Sequence, residues 1–464
     1  MPLWLHIVVA VFAFNTIVVI ITENRRPANT WAWILLLLTL PGVGLVLYYL
    51  FGTRASRFPL AGVADGSRRE LKRHSAPQAA HDLPDCPLIQ LLQTTNSAYP
   101  IAGNDTWLYT TFTDMWEDMR QDIAGARHSV HFQFFKFEDD QVGQQVSDLL
   151  IEKAQEGVEV RVLFDAAANW MVPYKFFRRL REHGVKVAPF NRIFPFITPF
   201  SNFRNHRKVV VIDGRVGYLG GMNIAERYKK GVHGGIWRDT HLRISGPAVG
   251  EMQTTFLMDW HFASRRLLSD DVYYPAVEAQ GTALIQIVSA NPSDPWRVMN
   301  QSLTMLVARS NRYVYLQSPY FLPSGALMNA LCSAAQAGID VRLMLPIRGD
   351  KGVLVPKASC SFYDKALRAG VKIYLYRNGY LHAKTAVADD AVASIGSTNI
   401  DPRSMRLSFE VNAFIYDADV ARQQHAIFLD DMRYCHLLTA DEWAHRSRVE
   451  RLKESFARLF MPIL

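Results

Sequence analysis

Two hydrophobic patterns divide this chain. Residues 2–22 and 31–51 are apolar almost throughout and contain no Asp, Glu, Lys or Arg. Each runs for about 21 residues, the length at which a helix spans a bilayer core. Further along, strand-length apolar runs alternate with helical segments, which predicts α/β architecture with mixed sheets flanked by helices. Between the two regimes lies a stretch rich in Arg, Ala, Gly, Pro and Ser, which reads as a basic linker. The predicted organisation is a hairpin at 1–53, a linker at 54–90, and two α/β halves at 91–275 and 276–464, the second ending in an amphipathic helix.

The two halves repeat each other. AQEGVEVRVL (154–163) matches AQAGIDVRLM (335–344), and LREHGVKVAPFN (180–191) matches LRAGVKIYLYRN (367–378). Each half then reaches the same pattern, H-x-K-x4-D-x6-G-[GS]-x-N, without a gap: HRKVVVIDGRVGYLGGMN at 206–223 and HAKTAVADDAVASIGSTN at 382–399. One such match is weak, because histidines on strands are often structural. Two in register, about 180 residues apart in a duplicated fold, predict a single site at the junction of the halves.

The motif residues have readable chemistry. Residues i and i+2 of a strand share a face, so His206 and Lys208 are expected to point one way, and so are His382 and Lys384. The lysines place charge on a phosphate, and Asn223 and Asn399 offer amide donors at the following turn. Asp213 and Asp389 complete the motif and stand with the candidate catalytic residues, although a structural turn carboxylate suits their place at a strand end better.

Composition narrows the partners. The net charge of +8 and pI near 9.2 favour anionic partners, either acidic lipid or nucleic acid. Cys86, Cys332, Cys360 and Cys435 are scattered, with no zinc or disulfide spacing. The apolar N-terminus decides for lipid. It lacks the basic start and small-residue cleavage site of a signal peptide. Trp4, Trp31, Trp33, Tyr48 and Tyr49 lie near segment ends, as interfacial aromatics do. The reading is a two-helix transmembrane hairpin, with Pro41, Gly42 and Gly44 leaving a kinked or re-entrant form open. Arg25 and Arg26 occupy its loop, whereas Arg54, Arg57, Arg68 and Arg69 follow it, so the large region is expected to face the cytoplasm.

These motifs and several flanking stretches resemble the phospholipase D superfamily and, within it, the bacterial cardiolipin synthases. The flanking stretches are RNHRK (204–208), GGMNIAERY (220–228), WRDTHLRISGPAV (237–249), SPYFLP (318–323) and GSTNIDPRS (396–404). The resemblance covers nearly the whole chain. It implies phosphatidyl transfer between two phosphatidylglycerol molecules at a bacterial inner membrane, giving cardiolipin and glycerol without nucleotide, metal or other cofactor. It implies His206 as the nucleophile that becomes a phosphohistidine, His382 as acid and base, and Asp239 and Glu410 as the carboxylates that orient the histidines. A phospholipase D-type hydrolase and a membrane-tethered nuclease share the motifs and are the alternatives. Nucleic acid is not expected as a partner, and a homo-oligomer is left open.

Two further stretches carry expectations. The first half holds an extra segment, RIFPFITPFSNF (192–203), which is either a loop at the site mouth meeting acyl chains through Phe194 and Phe196 or a loop packed in the core. Near the C-terminus, Trp443, Val449, Leu452, Phe456 and Leu459 form an apolar stripe at near-helical spacing. The stripe is expected to pack on its own domain rather than on lipid.

Overall fold

The structure is a computed structural model that describes residues 2–23, 27–52, 66–68, 70–73, 85–191, 201–349 and 352–461. The N-terminal apolar stretch folds as helices Leu3–Thr22, Pro27–Thr39 and Pro41–Leu47, followed by one π turn at Tyr48–Gly52. Pro41 has no N–H to continue the preceding helix, and Leu40 leaves helical geometry at φ −137° and ψ 69°, so the second apolar stretch is broken. These helices pack on one another around Ala13, Ile20, Leu37 and Tyr48. Leu3, Trp4, Phe12, Phe14, Trp31 and Leu38 are more than half exposed. No helix among the described residues is long and apolar enough to cross a membrane. The apolar stretch is thus helical and folds back on itself, which falls short of the expected membrane-spanning hairpin.

Part of the stretch read as a linker is docked. Leu71 is fully buried beside Phe256 and Trp260, Lys72 pairs with Glu251 at 3.2 Å, and Arg68 donates to the Asn96 carbonyl at 2.6 Å.

Each half builds a mixed sheet. The first comprises β1 (Ile101–Tyr109), β2 (Ser129–Phe134), β3 (Glu159–Asp165), β4 (Lys186–Phe190), β5 (Arg204–Asn205), β6 (Val209–Ile212), β7 (Val216–Gly220), β8 (Ile236–Arg238) and β9 (His241–Ser245). The second comprises β10 (Ala283–Ala290), β11 (Tyr313–Gln317), β12 (Asp340–Pro346), β13 (Lys372–Tyr376), β14 (Gly379–Leu381), β15 (Thr385–Ala388), β16 (Val392–Gly396), β17 (Ser408–Ile415) and β18 (Cys435–Leu438). In the first half the order is β1-β9-β7-β6-β2-β3-β4, and in the second it is β10-β17-β16-β15-β11-β12-β13-β18. The outer strands β2, β3 and β4 run parallel, as do β11, β12 and β13, with helices crossing between them. The motif hairpins β6–β7 and β15–β16 are antiparallel.

β1 pairs antiparallel with β10, so the halves form one continuous sheet. A shared core seals the seam: Val209, Val211, Leu242 and Ile244 of the first half cluster with Ile285, Ile395, Val411 and Ile415 of the second. All eight are fully buried, and at about 25 cal/mol per Å² their apolar area resists separation of the halves.

The C-terminal helix Arg448–Leu459 corrects the expectation for its stripe. Val449, Leu452, Phe456 and Leu459 are 60%, 70%, 59% and 72% exposed. The face turned inward carries Ala457 and Glu454 instead: small Ala457 lets the helix approach residues Leu354–Cys360, and Arg446 pairs with Glu454 at 3.3 Å. Trp443 does pack, on Tyr363 with ring centres 5.1 Å apart.

Candidate active site

Two short strands carry the motifs across the junction. β5 pairs with the start of β17, placing Asn205 opposite Phe409. β14 pairs with β8, placing Tyr380 opposite Trp237. The next residues extend these pairings, with the His206 N–H donating to the Phe409 carbonyl at 2.9 Å and the His382 N–H to the Arg238 carbonyl at 2.7 Å. The sequence placed His206, Lys208, His382 and Lys384 on the motif strands. In the structure those strands begin just after the lysines, at Val209 and Thr385, because the backbone before them is committed to the other half. The lysines fold back on their own histidines: Lys208 Nζ donates to the His206 carbonyl at 2.5 Å, and Lys384 Nζ donates to the His382 carbonyl.

Each histidine is held by a carboxylate from the opposite half. His206 Nδ1 lies 3.1 Å from both Glu410 oxygens, and His382 Nδ1 lies 2.6 Å from Asp239 Oδ2. A carboxylate on Nδ1 fixes the tautomer and leaves Nε2 for chemistry. Asp239 and Glu410 are themselves fully buried. Ser397 Oγ donates to Glu410, whereas Asp239 accepts from the Thr240 N–H at 2.8 Å and has Lys384 Nζ 3.7 Å away. Ser397 and Gly221 occupy equivalent motif positions. A side chain at Gly221 would put its Cβ 2.0 Å from Asp239 Oδ1, so the motif needs glycine there.

Burial dominates the electrostatics. It pushes the pKa of His382 down to about 4, with Lys384 adding to the fall and Asp239 opposing it. His206 is lowered by burial and by Lys208, against the opposing pull of Glu410. Burial would raise Asp239, but Lys384 and His382 outweigh it and hold the carboxyl below its usual range. Lys208, fully buried, is lowered to about 7 by burial and by Lys384, against Glu410. Both imidazoles are therefore biased toward the neutral, nucleophilic form before a substrate binds, each beside its motif lysine.

The histidines and asparagines line one cavity of about 310 Å³ with Phe135, Arg204, Tyr228, Trp237, Tyr320, Leu322, Val355 and Arg403. Asn223 is tied to the Lys136 N–H and the Tyr228 hydroxyl, whereas the buried Asn399 Oδ1 has no hydrogen-bond partner among the described residues. Phe135 stands edge-on to His206 with ring centres 4.8 Å apart, and Trp237 does the same to His382 at 5.4 Å.

Asp213 and Asp389 do not enter this cavity. Asp213 accepts from the N–H groups of Arg127, His128 and Ser129, each at 2.8 Å, and Asp389 accepts from those of Asn311, Arg312 and Tyr313 at 2.7–2.9 Å. Both sit at positive φ, 51° and 57°, in the motif hairpin turn at the far end of the strand. They pin that turn to the start of a neighbouring strand. The turn-carboxylate reading describes their place, and the structure does not bring them to the cavity with the other motif residues.

Sequence reasoning missed Phe135, Tyr228, Trp237, Arg204 and Arg403 as individual site residues. Four of them lie inside the flanking stretches that carry the resemblance, but nothing local says that they face the cavity. Of the extra segment 192–203, residues 192–200, with Phe194 and Phe196, lie outside the described residues, while Phe203 is buried beside Phe409.

Two like halves that each bring a histidine and an asparagine to one shared cavity, each histidine backed by its motif lysine, define an enzyme of the phospholipase D class. Comparison with known proteins narrows this. The family described as cardiolipin synthase, PLD-like domain, matches residues 119–260 and 303–432, and the phospholipase D–nuclease N-terminal family matches residues 10–52. The chain is 38% identical to cardiolipin synthase 2 of Staphylococcus epidermidis over 98% of its length and 96% of that protein. It is also 38% identical to the major cardiolipin synthase of Bacillus subtilis over 97% of its length and 96% of the relative's. Among solved structures, phosphatidylserine synthase of Haemophilus influenzae shares the fold, with a TM-score of 0.63 at 15% identity over 82% of this chain and 99% of that one. The chain belongs to the cardiolipin synthase family of phospholipase D-like proteins.

Proposed function

We propose that this protein is a cardiolipin synthase that transfers a phosphatidyl group from one phosphatidylglycerol to another. The observation that carries the reading is the crossed pairing of His206 with Glu410 and His382 with Asp239 around one cavity. In the first step His206 Nε2 attacks phosphorus, the P–O bond to the glycerol headgroup breaks, and His382, entering as the imidazolium that Asp239 and the anionic lipid phosphate favour, gives its Nε2 proton to the departing alkoxide. In the second step the hydroxyl of another phosphatidylglycerol attacks phosphorus, passes its proton to His382, and the N–P bond breaks. The products are cardiolipin and glycerol. One phosphodiester replaces another, so no nucleotide need drive the exchange.

The shorter contact of His382 with Asp239, 2.6 Å against 3.1 Å at His206, favours His382 for the step that carries positive charge on imidazole. Lys208, Lys384, Asn223 and Asn399 cradle the nonbridging oxygens as charge builds on them. The apolar hairpin and the exposed stripe of the C-terminal helix support a location at the bacterial plasma membrane, with the hairpin inserted and the catalytic halves on the cytoplasmic side. Anionic lipid is then both substrate and surface.

Incubating purified protein with phosphatidylglycerol vesicles, without nucleotide and with chelator, tests the reading. Cardiolipin with an equal amount of glycerol is expected. Phosphatidic acid alone would make the protein a hydrolase.

A further inference from the structure

The repeat gives the cavity a pseudo-twofold symmetry, and its two wings break that symmetry in chemistry. Two residues before the motif histidine stand Arg204 in one copy and Tyr380 in the other. Two residues before the orienting carboxylate stand Ser408 and Trp237. Four residues after the motif asparagine both copies have arginine, Arg403 and Arg227, and the next residues are Ser404 and Tyr228. The wing beside His382 is thus aromatic, with the Tyr228, Trp237 and Tyr380 rings 6.0, 5.4 and 5.8 Å from the imidazole. Its cations do have a carboxylate, since Glu138 pairs with Arg227 at 2.8 Å and with Lys136 at 3.3 Å.

The other wing is cationic and hydroxylic. Arg204, Arg403, Ser404 and Ser408 all line the cavity. Arg204 Nη1 donates to the Phe203 carbonyl at 2.8 Å, and Arg403 donates to the carbonyl and side chain of Asn202 at 3.1 and 3.0 Å, so the two guanidiniums converge on one turn. Neither has a carboxylate at ion-pair distance among the described residues. Asp165 acts on both guanidiniums and Asp401, which also lines the cavity, on Arg403, but only at longer range: Asp165 accepts the N–H groups of Ala168 and Asn205, and Asp401 caps its helix through the Ser404 N–H. The guanidiniums are close enough to repel, and each is depressed chiefly by burial. Two half-buried arginines held together with no carboxylate in ion-pair contact leave their donors open to an anion.

We infer that Arg204 and Arg403, with Ser404 and Ser408, form a second phosphate subsite that holds the acceptor's own phosphodiester while its glycerol hydroxyl attacks the phosphorus on the catalytic histidine. The inference rests on the proposed synthase reading and deepens it. The transfer joins two phosphates through one glycerol, so an acceptor phosphate must sit three carbons from the reacting centre. The lysine–asparagine cradle holds the first phosphate, and the arginine wing of the same cavity is free for the second. The assignment holds whichever histidine attacks, because the glycerol bridge is flexible. It explains how the enzyme selects an anionic lipid as acceptor over water or free glycerol, which carry nothing for the arginines to hold.

The test compares two acceptors on one enzyme preparation. Full-length protein in phosphatidylglycerol vesicles is given labelled glycerol, and cardiolipin formation is measured against incorporation of label into phosphatidylglycerol. Headgroup exchange uses the same donor and cradle but a neutral acceptor. For Arg403→Gln, Arg204→Gln and the double variant, the ratio of cardiolipin to exchange is expected to fall about tenfold or more, with Arg403→Lys in between. A ratio equal to wild type overturns the subsite, since the arginines would then serve the donor phosphate or the fold. Wild-type protein that exchanges glycerol but makes no cardiolipin overturns the synthase reading and the subsite with it. A soluble probe covers a variant without turnover: glycerol 1,3-bisphosphate should raise the melting midpoint of wild type more than glycerol 1-phosphate at equal concentration. That difference should vanish in the double variant. Its persistence there, or its absence in wild type, counts against the subsite.

Discussion

His206 and Glu410 are 204 positions apart in the chain, and the carboxylate holds the imidazole Nδ1 with both oxygens at 3.1 Å. The reciprocal pair, His382 with Asp239, crosses the junction the other way. Neither half contains a complete catalytic histidine. Glu410→Gln and Asp239→Asn should each reduce cardiolipin formation by about 10²–10⁴-fold while the fold survives, because the tautomer and the imidazolium lose their partner. Activity within threefold of wild type in both variants would mean that the crossed carboxylates do not orient the histidines.

Lys208 sets a pH dependence. Its ammonium, lowered to about 7, must be charged to hold the phosphate, so kcat/KM should fall as pH rises through that region. Lys208→Arg should move this alkaline limb upward. The stability sign is the reverse. Between about 7 and the ordinary value of 10.5 the unfolded chain binds a proton that the folded chain has shed, so this lysine makes folding more favourable as pH rises. Lys208→Met should abolish turnover and remove that slope from the pH dependence of thermal midpoints.

Gly221→Ala probes one ångström-scale contact. The new Cβ would meet Asp239 Oδ1 at 2.0 Å and push the carboxylate off His382. Turnover should fall about 10²-fold, as misplacement of a catalytic group does. Ser397→Gly, at the equivalent position, removes a donor to Glu410 and an acceptor of the Val411 N–H but introduces no clash, and should be milder. Equal effects from the two would contradict the unequal packing of the repeats.

Asp213→Ala and Asp389→Ala should behave as stability variants. Each leaves three backbone N–H groups without their acceptor, at a cost of about 2–4 kcal/mol in denaturant unfolding. The specific activity of the folded fraction should be largely kept. A loss like that of the histidine variants would return these aspartates to the chemistry.

The outward stripe of the C-terminal helix predicts interfacial binding. Leu452→Asp with Phe456→Asp should weaken binding of the protein to phosphatidylglycerol vesicles in flotation assays. It should also raise KM for vesicular substrate more than it lowers kcat. Unchanged flotation would assign membrane contact to the N-terminal hairpin alone.

Much of this was legible in the residues. The duplicated spacing exposed the two halves, the mixed sheets and the four motif side chains, because alternation along a strand is a local property. Asp213 and Asp389 could be read as turn residues for the same reason. The cross-pairing of β5 with β17 and of β8 with β14 was not legible, since strand partners are chosen by the whole fold. Hence the sequence placed the histidines on the motif strands, one pairing too far along. The C-terminal stripe was misjudged because a 3.6-residue period shows which side chains share a face and not what that face meets. Arg204 and Arg403 are nearly 200 residues apart, and only the assembled cavity reveals that neither has a carboxylate at ion-pair distance among the described residues.

The seam of β1 with β10 has a consequence for how specificity can exist at all. A homodimer built from one such repeat would be obliged to carry the same residue at both places now filled by Arg204 and Tyr380, and so would treat donor and acceptor alike. Covalent fusion of the two copies releases that constraint. One chain can then receive the same lipid twice in a single turnover and do something different with it each time.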